Sequence, residues 1–278
     1  MSTPTITLNN GVEIPQVGFG TFQVTPDETQ RTVEDVLAVG YRHIDTAAGY
    51  YNEAGVGAAL RAGVVPRDDV FVTTKLRNGE HGYDQALRAF EDSRRALGID
   101  VVDLYLIHWP VPTQDLYVET WRALEKLLAD GAVRAIGVSN FLPEHLDRLV
   151  RESDVVPAVN QIEVHPTYQQ PTTQEASTRH GIAVEAYSPL GQGHDLRSAP
   201  LASTAKRLGI TPGQVALRWH VQAGRIVIPK SISPDRIRSN LDLFSFDLPA
   251  EDLAAIDGLD TDHRLGADPA TAAFTQMR

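Results

Sequence analysis

The chain has 278 residues, 42% of them hydrophobic and 22% charged, with a formal net charge of −11. That length suits one α/β barrel or two small domains with a real core, and the acidic balance argues against nucleic acid or an anionic membrane as partner. Cysteine is absent, which excludes disulfides and thiolate chemistry and fits the cytoplasm.

The N-terminal residues lack a basic start followed by an apolar stretch, so no signal peptide is expected, and no apolar run reaches membrane length. In chain order, residues 5–8 and 12–14 flank Asn10-Gly11, a strong hairpin signal. The hairpin precedes a short strand at 17–22 and could close the N-terminal end of a barrel. A helix over 26–39 follows that strand.

The same alternation then recurs. The strand 41–45 precedes helical spacing over 53–61, 70–75 precedes 83–97, and 102–108 precedes 115–128. Next, 133–140 precedes 143–150 and 158–161 precedes 172–180. Last, 183–187 precedes helical material over 199–219, and 226–230 precedes a helix near 235–241. Gly40, Gly98 and Gly131 sit where helices end, and Pro143 where one begins. Eight strand-then-helix units imply a closed parallel sheet, a single (β/α)8 TIM barrel domain over 1–278. The tail after about residue 257 lacks periodicity and reads as a C-terminal substrate loop over one mouth.

Barrel enzymes carry their chemistry at the C-terminal ends of the strands. Here the runs end in Asp45, Lys75, His108, Ser139-Asn140, Gln161, Tyr187-Ser188 and Lys230. Singly, each has a plain explanation. Asp45 can cap a helix, Lys75 can be a solvated strand end, His108 a satisfied core histidine and Tyr50 a surface aromatic. As a set at one mouth they form a proton-delivery device with no strong nucleophile and no need of a metal. A tyrosine titrates near 10, too high for ready proton donation at neutral pH. A lysine ammonium about 4 Å away is worth about 4 kcal/mol to the phenolate at an effective dielectric near 20. That is roughly 3 pKa units, enough to bring Tyr50 close to neutrality. A carboxylate such as Asp45 would keep the lysine charged. The same lysine also suits a Schiff-base aldolase, which needs a depressed lysine pKa instead.

The stretch G-Y-R-H-I-D-T-A-A-G-Y over 40–50 resembles the first signature of the aldo-keto reductases. V-D-L-Y-L-I-H-W-P over 102–110, I-G-V-S-N-F over 136–141, V-N-Q-I-E-V-H-P over 159–166 and I-P-K-S-I-S-P-D-R-I-R-S-N over 228–240 extend the resemblance along nearly the whole chain. It implies an NADPH/NADP+-dependent enzyme that reduces a small carbonyl compound. Tyr50 would be the general acid, tuned by Lys75 and Asp45, with His108 positioning the carbonyl. Ser139, Asn140 and Gln161 would hold the carboxamide, and Tyr187 would stack on the nicotinamide. The cofactor site would also take in Gly20, Thr21, Phe22, Ser188, Leu190, Lys230, Ser231, Ile232, Arg236 and Asn240. Phe22 and Trp109, with Tyr50 and His108, would line the substrate pocket. The basic stretch Arg218, Arg225, Lys230, Arg236 and Arg238, opposed only by Asp235, reads alone as a solvated helix face. With the resemblance it becomes a 2′-phosphate site.

Within the family, the chain looks most like the bacterial 2,5-diketo-D-gluconic acid reductases, with departures at Gly49, Tyr187, Ser233 and Ser239. Relatives of that group imply a monomer. The alternative reading is a nicotinamide-sensing accessory subunit with weak reductase activity.

Overall fold

A computed structural model describes residues 3–275. A short hairpin, β1 (Thr5–Thr7) and β2 (Glu13–Pro15), comes first, and eight parallel strands follow: β3 (Phe19–Gly20), β4 (His43–Asp45), β5 (Phe71–Leu76), β6 (Val102–Ile107), β7 (Val133–Ser139), β8 (Val159–Glu163), β9 (Ala183–Tyr187) and β10 (Ile226–Val227). They neighbour one another in sequence order. A parallel bridge between Val17 and Val227 joins the two edges, and Gly18 donates its N–H to the Val227 carbonyl at 2.8 Å. The eight-stranded sheet is therefore a closed barrel.

Helices α1 (Pro26–Val39), α2 (Glu53–Ala62), α3 (Tyr83–Leu97), α4 (Tyr117–Ala129), α5 (Pro143–Glu152) and α6 (Pro171–Arg179) fall on the expected stretches. The helical material expected over 199–219 divides into two helices, α7 (Ala199–Leu208) and α8 (Pro212–Gln222). Gly209 takes φ 70° and ends the first, and the Thr211–Gln214 capping box with Pro212 starts the second. Helix α9 (Pro234–Leu241) was expected, whereas α10 (Ala250–Asp257) was not.

Side chains alternate across the strands, and this sorts two cores. In β5, Val72 and Leu76 face the helices together with Val33, Phe90 and Trp121. Phe71 faces inward, where Leu8 and Ile14 of the hairpin region pack with Leu104, Leu106, Val159 and Ile226. The hairpin thus stoppers the N-terminal end with an apolar floor, as its position in the chain suggested.

Gly137 in β7 faces this interior. A Cβ there would lie 2.6 Å from the Val159 carbonyl oxygen and 2.7 Å from Leu106 Cδ2. Because the first obstacle is backbone, Gly137→Ala is expected to cost about 1–3 kcal/mol through overpacking. Denaturant unfolding would read this as a lower midpoint at unchanged slope.

Candidate active site

Asp45, Lys75, His108, Ser139 and Tyr187 all lie at or next to the C-terminal ends of their strands, and the loop after β4 adds Tyr50. Tyr50 ends a 3-10 turn, Ala48–Tyr50, and the next residue, Tyr51, takes a left-handed φ of 58°. The sequence did not single out the residue that holds this turn. Asn52 is buried, accepts from the Thr46 hydroxyl at 2.8 Å, and donates to the Thr21 and Val24 carbonyls at 3.0 and 3.1 Å. It pins the Tyr50 loop to the loop after β3. Thr21 in turn donates its backbone N–H and its hydroxyl to the Asp45 carbonyl, at 2.9 and 3.0 Å.

Lys75 is fully buried. Its ammonium donates to both Asp45 carboxylate oxygens, at 2.7 and 2.8 Å, and to the Thr46 carbonyl at 2.9 Å. The Tyr50 hydroxyl lies 3.4 Å from the same nitrogen. Burial works to discharge the lysine, yet Asp45 and Tyr50 outweigh it and its pKa is raised. This removes the Schiff-base reading, which needs a lysine easily made neutral.

The expectation that Lys75 alone draws Tyr50 toward neutrality needs correction. Burial pushes the Tyr50 pKa up, and the pull of Lys75 does not offset it. The charges of Asp45 and Glu185 add to the rise, since both disfavour a phenolate. Tyr50 is therefore held as a phenol with its proton in place.

His108 packs edge-on to Tyr50 at 5.6 Å between ring centroids. Burial first, and the Lys75 charge second, hold its pKa well below the ordinary value, so the imidazole is neutral. Phe22 is exposed and its ring lies 5.1 Å from that of Tyr50. Trp109 is buried against Phe274, at 5.1 Å between centroids, so the C-terminal segment does reach this mouth. Asn78 fastens it by donating to the Phe274 carbonyl at 3.0 Å.

Ser139, Asn140 and Tyr187 meet on the other side. Ser139 donates to the Gln161 carbonyl at 2.8 Å, Asn140 donates to the His108 carbonyl at 3.0 Å, and the Tyr187 hydroxyl donates to the Asn140 side chain at 2.9 Å. Asn140 and Ser188 take left-handed φ values of 63° and 47°, a local cost that recurs at functional sites.

Gln161 does not end its strand as expected. β8 continues to Glu163, and Gln161 lies deeper, donating to Asp45 and to Glu185 at 2.8 Å each. Glu185 is a buried acid hidden inside the run A-V-E-A-Y. Burial, then repulsion from Asp45, raises its pKa to about 8.

The basic stretch also needs correction. Arg218 pairs with Asp247, and Arg238 with Asp235 at 2.8 Å. Arg225 is buried, stacks over Trp219 at 4.2 Å and donates to His220 at 3.0 Å. These three are structural. Lys230 and Arg236 remain exposed, and neither has a carboxylate partner among the described residues. Arg236 donates to the Ser231 hydroxyl at 3.2 Å, at the start of α9. Exposed Ile232 and buried Asn240 flank this place. Two unpaired cations at a helix N-terminus suit a phosphate group. Gly20 lies next to it, and a Cβ there would meet the Ile228 carbonyl oxygen at 3.0 Å. Leu190 is half-buried in the loop after β9.

Among the described residues, no helix is long and apolar enough to cross a membrane. The profile of the Aldo/keto reductase family matches residues 16–261. The chain is 51% identical over 273 residues to an aldo-keto reductase of Mycolicibacterium smegmatis, covering 98% of this chain and 99% of that protein. It is 48% identical to methylglyoxal reductase DkgA of Yersinia pestis, covering 96% of each. A mutant of Gox0644 in complex with NADPH superposes with a TM-score of 0.95 at 47% identity, covering 99% of this chain and 100% of that one.

Proposed function

Because this chain belongs to the aldo/keto reductase family, we propose that it reduces a small aldehyde or ketone with NADPH, using Tyr50 as the proton donor. The enzyme is an oxidoreductase. The observation that carries the assignment of the donor is the buried Lys75 ammonium, held by Asp45 and placed 3.4 Å from a phenol at the mouth. When bound, NADPH supplies the hydride.

The protein's own groups do the rest. Tyr50 holds a proton at its hydroxyl oxygen, and a positive charge beside that oxygen stabilises the phenolate left when the proton leaves. The charge need not make Tyr50 acidic beforehand. It favours the transition state, in which negative charge develops on the phenol oxygen. Neutral His108 offers an N–H to the carbonyl oxygen without competing as an acid. Phe22 and Trp109 wall the pocket and keep water from the reacting groups.

Lys230, Ser231 and Arg236 hold the 2′-phosphate, with Ile232 and Asn240 beside the adenine. Tyr187 forms the nicotinamide platform, with Ser139, Asn140 and Gln161 around its carboxamide and Gly20, Thr21, Phe22, Ser188 and Leu190 along its path. Among carbonyls, α-dicarbonyls and keto-sugar acids such as 2,5-diketo-D-gluconate are the proposed class. The likeness to a methylglyoxal reductase and the stretches V-V-P-A-V-N-Q-I-E over 155–163 and S-P-L-G-Q-G-H-D-L over 188–196 support it.

NADPH oxidation assayed across aldehydes, α-keto acids, diketones and keto-sugars tests the reading. Absence of turnover with every class, alongside tight NADPH binding, would return the sensory alternative. The cofactor arm has its own test. Arg236→Gln is expected to weaken NADPH about tenfold, the loss of one charge-assisted hydrogen bond, and to leave NADH almost unchanged. Fluorescence titration of the two cofactors reads the difference, and equal weakening of both would displace the phosphate from Arg236.

A further inference from the structure

One buried ionic cluster lies outside the site described so far. His165 is fully buried, with Nδ1 2.8 Å from Asp195 Oδ2 and Nε2 3.1 Å from Glu163 Oε1. A carboxylate can only accept, so both ring nitrogens must donate, and His165 is an imidazolium. Burial opposes that charge, but the two acids prevail and its pKa is raised to about 9.

The cluster joins three separate segments. Glu163 ends β8. Asp195 belongs to the loop after β9, the loop that also carries Ser188 and Leu190, and it packs so closely under Gly191 that a Cβ there would meet its carboxyl carbon at 2.5 Å. The C-terminal segment supplies the third part, since the backbone N–H groups of Leu265 and Gly266 donate to the two Glu163 oxygens at 2.7 and 2.8 Å. Downstream of that grip the segment runs on to Phe274, which covers Trp109. Upstream, Thr261 and His263 donate to the Thr167 carbonyl at 3.1 and 3.2 Å, and Thr167 donates to Asp195 at 2.8 Å. Neither acid is spent on the proton-delivery groups, and surface solubility does not require a buried triad.

We propose that Glu163 is a positioning residue for carbonyl binding: with His165 and Asp195 it latches the C-terminal segment to the loop after β9, so that seating the cofactor on that loop tightens the cover over the substrate. This rests on the functional reading above for the roles of the two loops. Coupling of this kind is reciprocal, so a seated cover also tightens the cofactor. A carboxylate suits the task because its two oxygens take two adjacent N–H groups while its charge is answered from behind.

Two variants test it. Glu163→Gln keeps the shape but offers one acceptor oxygen to the three N–H groups of His165, Leu265 and Gly266, and removes the charge facing His165. Gly266→Ala changes no member of the triad but forces the segment off Glu163, since its Cβ would fall 2.7 Å from Glu163 Oε2. Gly266→Ala keeps the test alive should the buried change impair folding. Hydrogen exchange of the amides of 265–274 is followed with and without NADP+, beside steady-state kinetics with methylglyoxal. Both variants are expected to exchange about tenfold or more faster in this segment. NADP+ should slow that exchange in the parent and much less in the variants. KM should rise about tenfold, with kcat within about threefold. Wild-type exchange rates in both variants, equal protection by NADP+ in all three proteins, no NADP+ protection in the parent, or a fall in kcat at constant KM would each overturn the latch. Failure of the parent to reduce any carbonyl would instead sink the functional reading, and the exchange measurements would still decide the latch.

Discussion

Tyr50→Phe is expected to lower kcat for carbonyl reduction by about 10² to 10⁴-fold, the usual worth of a positioned general acid, while NADPH affinity stays within about threefold. The ring still packs against Phe22 and His108, so only the hydroxyl 3.4 Å from Lys75 is lost. Stability should change little, because that hydroxyl makes a single long contact. Stopped-flow hydride transfer beside cofactor titration separates the two effects. Retention of near-parental turnover would mean that another group donates the proton.

Lys75→Met should show the largest effect on stability. It removes the cation from a buried pair and leaves Asp45 with the Gln161 amide. Breaking such a pair from one side costs about 3–5 kcal/mol, a fall in melting temperature of roughly 10 °C for a chain of this size. Activity should vanish with it. Adding Asp45→Asn removes the orphaned charge, so the double variant should recover at least about half of the lost stability and none of the activity. A thermal-unfolding double-mutant cycle measures this. Additive losses would show that the two groups do not act as a pair.

Much of the site was legible because barrel geometry converts strand ends into one place. Asp45, Lys75 and His108 are far apart in the chain, yet each ends an apolar run, and the alternation of strand and helix brings those ends to one rim. The misses share a cause: local windows do not show partners distant in sequence. Arg225 counted as part of a basic stretch, but its place is over the Trp219 ring and against His220. Glu185 sits in an apolar strand, where nothing nearby announces that Gln161 will bridge it to Asp45. Nothing in the sequence marks Asn52, although its side chain ties two loops together. The acidity of Tyr50 escapes the sequence for a related reason. Spacing revealed a neighbouring cation but hid how thoroughly Asp45 occupies it and how much burial opposes the phenolate.

The hairpin has a consequence for traffic through the enzyme. With Leu8 and Ile14 sealed against Phe71 and Leu104, the barrel is a blind well rather than a corridor. Gln161 stands between Glu185 and Asp45, and a carboxamide does not relay protons. On the proposed role of Tyr50, each proton it gives away is therefore replenished through the same opening that admits the carbonyl and releases the alcohol. Departure of product and recharging of the phenol share one doorway, so whatever crowds that rim slows both.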